Sequence, residues 1–217
     1  MSNPSPAVVF DLDGTLIDTD NFDAALYAAA VRDIVGDIEI DSSWRRYRHV
    51  TDAGVLAEIV AELDLPNSEQ VASRVRDRFG TLVRAYLEAG NACVEIPGAK
   101  AALEGLERNG CRVGIATGGW GHTARMKLKR AGFAADRFPL VSSDESPDRV
   151  EIMTTCLERL GGVSARAVYV GDGLWDLDAS RRAGWNFIGV GEKLRGQCEH
   201  WIADFTDPTW RLLQPSR

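Results

Sequence analysis

The stretch Val8-Val9-Phe10-Asp11-Leu12-Asp13-Gly14-Thr15-Leu16-Ile17-Asp18 carries the strongest fold signal in this chain. Its apolar start predicts a short buried β-strand, and two aspartates spaced by one residue follow directly. Ligand sites in open α/β sheets lie at the carboxyl ends of strands, where Asp11 and Asp13 would stand. Two crowded carboxylates repel each other, and a bound cation relieves that repulsion. Taken alone, the pattern fits an acidic β-turn equally well, because Asp-Gly is a common turn pair.

Two further predicted strand ends carry polar groups that suit the same site. One strand ends in Thr117-Gly118-Gly119, which offers a hydroxyl and backbone N–H groups to an anion. Another ends in Gly171-Asp172-Gly173-Leu174-Trp175-Asp176, where two carboxylates four residues apart can share one side of a starting helix. Three strand ends together therefore predict the composition of a site for a divalent metal and a phosphate.

The rest of the chain alternates short apolar runs with helical patterns, which predicts an α/β fold with a parallel sheet. The apolar runs interpreted as buried strands are 7–10, 112–117, 139–142, 167–170 and 187–190. Helical patterns cover 99–109, 123–130 and 177–182. Ser146-Pro147 is interpreted as a cap and first helical residue of another helix that ends at Gly161. The tail at 200–205 fits a last edge strand or a docking segment.

Residues 18–93 show no convincing strand pattern. Helical patterns cover 23–35, 51–63 and 67–89 instead, and the last of these places its apolar residues on one face. A helical block inserted after the first strand of a parallel sheet predicts a second domain. The predicted division is a core of residues 1–17 and 94–217 and a helical domain of residues 18–93.

Composition and charge exclude several classes of partner. The chain holds 32 acidic and 25 basic residues, for a net charge of -7, which argues against nucleic acid as the main partner. No apolar run approaches the roughly 20 residues needed to span a bilayer. The N-terminus MSNPSPAVVF lacks the pattern of a signal peptide. Its four cysteines stand singly, so we expect structural reduced thiols and a cytoplasmic protein.

In combination, these motifs resemble those of the haloacid dehalogenase superfamily. The stretch Asp11-Leu12-Asp13-Gly14-Thr15-Leu16 looks like its first motif, Thr117 matches the second, and Gly171-Asp172-Gly173 with Asp176 is similar to the fourth. The resemblance covers about residues 7 to 205. Residues 18–93 resemble the α-helical cap of the phosphoglycolate phosphatase-like and β-phosphoglucomutase-like subgroup. The resemblance implies a Rossmann-like parallel sheet core with helices on both faces and an inserted all-α cap domain.

The resemblance also implies roles for the site residues. Asp11 would be the nucleophile that forms an aspartyl-phosphate, and Asp13 would be the general acid and then the general base. Mg²⁺ would be held by Asp11, by the backbone carbonyl of Asp13 and by Asp172, with Asp176 as a direct or water-mediated ligand. Thr117 would be a further catalytic group. The phosphate would be bound by Asp11, Leu12, Asp13, Thr117 and Gly118.

The chain departs from the family at the third motif, which is a lysine just before the helix that follows the third strand. The corresponding region, Ser142-Ser143-Asp144-Glu145-Ser146-Pro147-Asp148-Arg149, contains no lysine. Arg149 is the predicted catalytic substitute, and Lys127 is a second candidate. The alternative for Arg149 is an exposed arginine in a first helical turn. If neither cation reaches the phosphate, we expect slower turnover, because the site would be less well neutralised.

Substrate specificity is expected from the cap, whose richest segment is Trp44-Arg45-Arg46-Tyr47-Arg48-His49-Val50-Thr51-Asp52. A cationic loop at this place could bind an acidic leaving group. Arg48, His49 and Thr51 are the predicted substrate contacts. The alternative is a solvated basic helix face, with Thr51 capping the next helix.

The leading functional hypothesis is a Mg²⁺-dependent phosphatase that acts on a small phosphorylated metabolite. A phosphomutase, which passes the phosphoryl group to a second hydroxyl, is the alternative within catalysis. A non-catalytic phosphate-binding protein is a third class, and intact Asp11, Asp13 and Asp172 argue against it. A phosphonatase is disfavoured because no lysine precedes Lys100, so none in the cap could form a Schiff base. Nucleic acid and membrane partners are not expected.

Overall fold

The computed structural model describes residues 6–162 and 167–213, with side chains described as far as residue 210. The strands are β1 (Ala7–Phe10), β2 (Ile17–Asp18), β3 (Val94–Glu95), β4 (Arg112–Ala116), β5 (Leu140–Val141), β6 (Ala167–Gly171), β7 (Asn186–Val190) and β8 (His200–Ile202). The α-helices are α1 (Asp23–Val35), α2 (Asp52–Glu62), α3 (Ser68–Glu88), α4 (Ala99–Arg108), α5 (Gly121–Arg130), α6 (Arg149–Arg159) and α7 (Leu174–Ala183).

Six strands form one parallel sheet in the order β5-β4-β1-β6-β7-β8. β1 is central, with β4 on one side and β6 on the other. The chain therefore builds the sheet outward from β1 in both directions, and the carboxyl ends of β4, β1 and β6 lie side by side. This is the topological switch point at which open α/β sheets place their ligands. The predicted α/β fold with a parallel sheet is confirmed.

The two faces of the sheet are covered by different helices, because successive side chains of a strand point to opposite faces. Val8 and Phe10 belong to one apolar cluster, which the buried faces of α4 and α5 complete. Ala7 and Val9 belong to a second cluster, which is completed by α6 and α7. All four β1 residues are buried, so the continuous apolar run at 7–10 has the burial expected of a central parallel strand.

The helices α1, α2 and α3, here called the helical insert (residues 23–88), have an apolar cluster of their own. Tyr27, Val55 and Phe79 contribute one residue each from the three helices, and Trp120 joins them from the loop before α5. α1 has the predicted bounds, and α2 and α3 begin and end within one residue of the predicted positions. The division of the chain into domains at residues 18 and 93 stays a prediction, and residues 1–5 and 214–217 of the predicted core lie outside the described parts.

Two short strands were not expected where the chain enters and leaves the helical insert. β2 and β3 pair antiparallel, with Ile17 opposite Glu95 and Asp18 opposite Val94. Two residues are too few to show an alternating pattern, so the sequence carries no strand signal here. The pairing forms because the entry and exit of the insert come together in space.

The predicted start of α6 is wrong by two residues. Asp148, not Ser146, is the N-cap, and its carboxylate accepts a hydrogen bond from the Val150 backbone N–H at 2.8 Å. Arg149 is therefore the first helical residue, while Pro147 remains in the preceding loop. An aspartate is as good an N-cap as a serine, so the sequence alone did not distinguish the two.

At the other end of the sheet, the tail forms the edge strand β8, which pairs with β7. This decides between the two interpretations of residues 200–205. Within residues 6–162 and 167–213, no helix is long and apolar enough to cross a membrane.

Candidate active site

β1 delivers Asp11 to the centre of the carboxyl edge of the sheet. Asp11 is buried, and its backbone N–H donates to the Val170 carbonyl at 2.8 Å. The chain then turns at Gly14, whose φ is +80°, and a Cβ at this position would lie only 2.3 Å from Asp172 Oδ2. Glycine therefore permits both the backbone conformation and the close approach of the β6–α7 loop to the β1 loop.

Asp11, Asp172 and Asp176 form a compact group of buried carboxylates, in which one oxygen of each lies within 4.8 Å of the others. Burial raises the pKa of Asp11 well above its usual range, and the neighbouring charge of Asp176 raises it further. Burial likewise raises the pKa of Asp172 to about 7. Carboxylate oxygens in this crowded arrangement fit a hard divalent cation such as Mg²⁺, which offsets their mutual repulsion.

Arg149 lies inside this group rather than on an exposed helix end. Its side chain is buried, and Nη1 lies 3.0 Å from Asp11 Oδ1 and 3.0 Å from Asp176 Oδ1. Nη1 is also 3.4 Å from the Tyr169 hydroxyl, and Nη2 donates to the Val50 carbonyl at 2.9 Å. The structure thus brings the predicted substitute for the missing lysine into contact with the predicted nucleophile.

Lys127, the second candidate cation, lies on the other side of the site and contacts a different aspartate. Its Nζ is 2.6 and 2.7 Å from the two carboxylate oxygens of Asp13, and 3.0 Å from Asp23 Oδ1. The lysine is completely buried. No contact between Lys127 and Asp11 is present among the described residues.

The end of β4 contributes the predicted phosphate-binding loop. Thr117 is buried, its backbone N–H donates to the Val141 carbonyl, and its hydroxyl accepts a hydrogen bond from the Gly119 N–H at 3.0 Å. The Leu12 side chain lies in the core, and its carbonyl accepts from the Leu16 N–H at 2.8 Å, which closes the turn after β1. The residues predicted to bind phosphate therefore flank the site as two tight loops.

The N-terminus of α2 docks on the β4 loop through backbone and side-chain contacts. The Asp52 N–H donates to the Gly118 carbonyl at 2.8 Å, and Asp52 Oδ2 accepts from the Trp120 N–H at 2.9 Å. A Cβ at Gly118 would lie 2.4 Å from Arg149 Nη2, so this glycine leaves room for the guanidinium. Burial raises the pKa of Asp52 to about 8.

The three predicted cap contacts differ in whether they line the cavity and in which partners they already have. Thr51 lines the cavity described below, but its hydroxyl is already used: it accepts from the Gly54 N–H and donates to the Pro147 carbonyl. Thr51 is thus the N-cap of α2, which was the alternative interpretation. The Nδ1 of His49 lies 3.9 Å from Asp148 Oδ2, and this histidine does not line the cavity. Arg48 does line it.

A cavity of about 940 Å³ lies between the carboxyl edge of the sheet and the helical insert. Asp11, Asp13, Thr117, Arg149 and Asp172 line it from the sheet side. The insert side and the rim include Trp44, Arg45, Arg48, Trp175 and Lys193. The cavity is therefore large enough for a phosphorylated metabolite, with the carboxylates on one wall.

Sequence reasoning missed three parts of this site. It did not anticipate that Asp23 joins Lys127, that the segment at 50–52 closes over the core loops, or that Lys193 Nζ lies 3.8 Å from Asp172 Oδ2. One signal was available: Lys127 falls between Ala124 and Leu128 on the buried face of α5, where a charged residue is unusual.

Comparisons with known proteins agree with this geometry. Residues 6–184 match the haloacid dehalogenase-like hydrolase family. The chain is 30% identical over 190 residues to the N-acetylmuramic acid 6-phosphate phosphatase of Pseudomonas aeruginosa, covering 82% of this chain and 78% of that protein. It is 28% identical over 185 residues to a phosphoglycolate phosphatase of Xanthomonas campestris, covering 82% of this chain and 79% of the relative.

A solved structure also matches, although at an identity that supports the fold alone. The crystal structure of a hydrolase from Pseudomonas syringae superposes with a TM-score of 0.76 at 22% identity, covering 98% of this chain and 100% of that one. Since the family match spans the strand ends that carry Asp11, Thr117 and Asp172, the sequence motifs and the fold point to the same conclusion. The chain is an enzyme that belongs to the haloacid dehalogenase-like hydrolase family.

Proposed function

We propose that this protein is a Mg²⁺-dependent phosphatase that hydrolyses a small phosphate monoester through an aspartyl-phosphate on Asp11. The observation that carries the proposal is the placement of Asp11 and Asp13 in one cavity, with Asp172 and Asp176 grouped beside Asp11. The two curated relatives are named as phosphatases of small phosphorylated compounds, which supports the same reaction class.

Asp11 is the nucleophile in this proposal. Its position at the end of the central strand gives it a fixed backbone, and the Thr15 hydroxyl, 3.4 Å from Oδ2, helps to orient the side chain. A carboxylate attacks phosphorus only where the opposing negative charges are offset. The guanidinium of Arg149, 3.0 Å from Asp11 Oδ1, supplies part of that offset.

The metal would be held by oxygen ligands on the same wall. Asp11, Asp172 and Asp176 offer carboxylate oxygens, and Asp13 offers its backbone carbonyl. When bound, Mg²⁺ supplies positive charge to the phosphate oxygens and to Asp11. Burial, followed by the neighbouring charge of Asp176, raises the pKa of Asp172 to about 7, and a bound cation would favour the ionised form of this carboxyl group.

Asp13 is the general acid and base. In the first half of the reaction the Asp11–phosphorus bond forms, the ester P–O bond breaks, and the leaving oxygen takes a proton from Asp13. In the second half a water molecule gives a proton to Asp13 while its oxygen bonds to phosphorus, and the Asp11–phosphorus bond breaks. The products are the free alcohol and inorganic phosphate, and both aspartates return to their starting state.

The leaving group is proposed to carry an acidic group. Arg45 and Arg48 line the cavity, and neither has a side-chain ion pair or hydrogen bond in the described parts of the chain. Arg46, by contrast, pairs with Glu62 at 2.5 Å on the exposed side of the insert. Two unpaired guanidinium groups facing a cavity fit a carboxylate or phosphate on the substrate.

Screening phosphorylated metabolites in the presence of Mg²⁺ tests the proposal. We expect stoichiometric release of inorganic phosphate from one or more small monoesters, with acidic leaving groups preferred. Conversion of one sugar phosphate isomer to another without phosphate release would instead identify a phosphomutase. Binding of phosphate esters without turnover would identify a non-catalytic protein and contradict the proposal.

A further inference from the structure

Lys127 is a completely buried cation of the site, whereas Arg149 keeps 9% of its surface exposed. Lys127 projects from α5 between the sheet and the helical insert. Both oxygens of Asp13 lie within 2.7 Å of its Nζ, and Asp23 Oδ1 on α1 lies at 3.0 Å. The ammonium group thus joins a carboxylate of the sheet edge to a carboxylate of the insert.

Stability alone is a weak reason for a lysine at this position. Removing an ammonium group from water is costly, and apolar residues of similar volume often replace buried ion pairs without loss of stability. The neighbouring buried positions on α5 are small or apolar, such as Ala124 and Leu128, and they belong to the core around the sheet. The contacts of this ammonium group with Asp13 give a better reason for a lysine here.

Two buried cations, Arg149 and Lys127, contact different aspartates of the first motif. Arg149 contacts Asp11 and Asp176, whereas Lys127 contacts Asp13 and Asp23. Bonds to both oxygens of Asp13 restrict the rotation of its carboxylate group, which a single contact would leave free. The side chain of Asp13 lines the cavity and stays partly exposed, so it is held in place while remaining accessible to a leaving group or to water.

We propose that Lys127 is a positioning residue for Asp13, and that Asp23 of the helical insert helps to hold the Lys127 ammonium group in place. The inference rests on the proposed phosphatase function. Lys127 acts through Asp13 in both proton transfers. When Asp13 is protonated, Lys127 holds the oxygen without the proton and the other oxygen delivers its proton to the leaving oxygen. When Asp13 is ionised, Lys127 holds the carboxylate that takes a proton from water. Because Asp23 belongs to α1, Lys127 contacts both Asp13 and Asp23 only when the insert lies against the sheet edge.

Two substrates with different leaving groups separate this role from a structural one. The phenolate of para-nitrophenyl phosphate departs without a proton, whereas the alkoxide of glycerol phosphate needs one from Asp13. In Lys127→Met we expect turnover of glycerol phosphate to fall about 100-fold. With the aryl ester we expect a rapid burst of one nitrophenolate per site, followed by a steady rate about tenfold lower, because only the second half-reaction then depends on Asp13.

The matched control is Lys129→Met, which changes a lysine on the exposed face of the same helix. We expect it to leave both substrates unaffected. Asp23→Ala should show the same selective loss as Lys127→Met but to a smaller extent, and it serves as the test if Lys127→Met does not fold. The Tm of each variant, compared with that of the wild type, shows whether a loss of activity comes from a loss of folded protein.

The possible outcomes are distinct. Equal losses for the aryl burst, the aryl steady rate and the alkyl ester would overturn the positioning role, as would unchanged kinetics. In either of those cases an active wild-type enzyme leaves the proposed function standing. A wild-type protein that hydrolyses neither these esters nor any monoester of the metabolite panel with Mg²⁺ contradicts the proposed function itself.

Discussion

The two aspartates of the first motif lie two residues apart and yet have contrasting surroundings. Around Asp11, Arg149 contacts two of three buried carboxylates, and Lys193 Nζ lies 3.8 Å from an oxygen of the third, Asp172. Around Asp13, the Lys127 ammonium group contacts Asp13 and Asp23, and burial followed by the nearby charge of Asp23 raises the pKa of a third carboxyl group, that of Asp52. The two sides therefore differ in how their carboxylates are held: three carboxylates lie within 4.8 Å of one another on the Asp11 side, whereas one ammonium group contacts both oxygens of Asp13.

This difference indicates how the site can divide its chemistry. The compact group of Asp11, Asp172 and Asp176 is suited to a dication, which would also reduce the repulsion between Asp11 and a phosphate group. The carboxylate of Asp13 is instead held by two short contacts with Lys127. One half of the cavity is thus suited to binding charge and the other to moving protons.

The largest loss of activity is expected from replacing Asp11, the proposed nucleophile. Asp11→Asn should lower hydrolysis of an aryl phosphate by about 10⁴-fold or more, because an amide does not form the covalent intermediate. Steady-state kinetics measure the loss. Asp136→Asn is the control, since that side chain is 96% exposed. An active Asp11→Asn variant would reject Asp11 as the nucleophile.

Removal of the metal should be nearly as damaging. We expect EDTA to abolish turnover and added Mg²⁺ to restore it, because the surplus of carboxylates would otherwise repel the phosphate. Mg²⁺ should also raise the Tm of the wild type, as any ligand that binds only the folded state does. Asp172→Asn should weaken that rise. Full activity in EDTA would contradict the proposed metal dependence.

The next effect concerns the cation on the Asp11 side. Arg149→Ala should lower kcat by about 100-fold, since it removes positive charge from the developing transition state. Arg149→Lys keeps the charge and should lose less. Arg159→Ala, on the exposed face of the same helix, controls for general effects on α6. If kcat of Arg149→Ala equals that of the wild type, Arg149 does not stabilise the transition state.

A smaller effect is expected at the substrate end of the cavity. Arg48→Ala should raise KM about tenfold for a monoester with an acidic leaving group and leave KM for a neutral one unchanged. Arg46→Ala is the matched control, because Arg46 pairs with Glu62 instead of lining the cavity. Equal changes for both arginines would favour a solvated basic face without a specific contact.

The smallest effect tests the docking of α2 on the Asp13 side. Asp52 has a folded pKa of about 8, above its usual value of 3.8, so the folded state binds the proton more tightly than the unfolded state. Its contribution to stability therefore falls as pH rises from about 4 to about 8. Asp52→Asn should flatten this decline in the free energy of unfolding, measured by urea titration at several pH values. An unchanged pH profile would contradict the raised pKa.

Much of the site was predictable from local sequence. Each of three apolar strands is followed directly by polar side chains. This pattern predicted the edge of the sheet at which Asp11, Thr117 and Asp172 meet. The one missing lysine directed attention to Arg149, and the structure places Arg149 on Asp11. These inferences succeed because strand ends are encoded within a few residues.

Other features had no local signal. The sequence offered Arg149 and Lys127 as competitors for one role, and it could not show that they contact different aspartates. It also left open whether Thr51 binds substrate or caps a helix. Each of these depends on which loops meet across the cavity.

The sequence by itself thus determined the parallel sheet, the helical insert and which carboxylates follow the strand ends, because periodicity and short motifs encode them directly. Only the tertiary structure decided how charges are paired: one cation on Asp11, the other on Asp13, and two arginines left facing the cavity. The physical reason is that ion pairing depends on distance in space. The two partners of Arg149 lie 138 and 27 positions away in the chain, yet both are 3.0 Å from its Nη1.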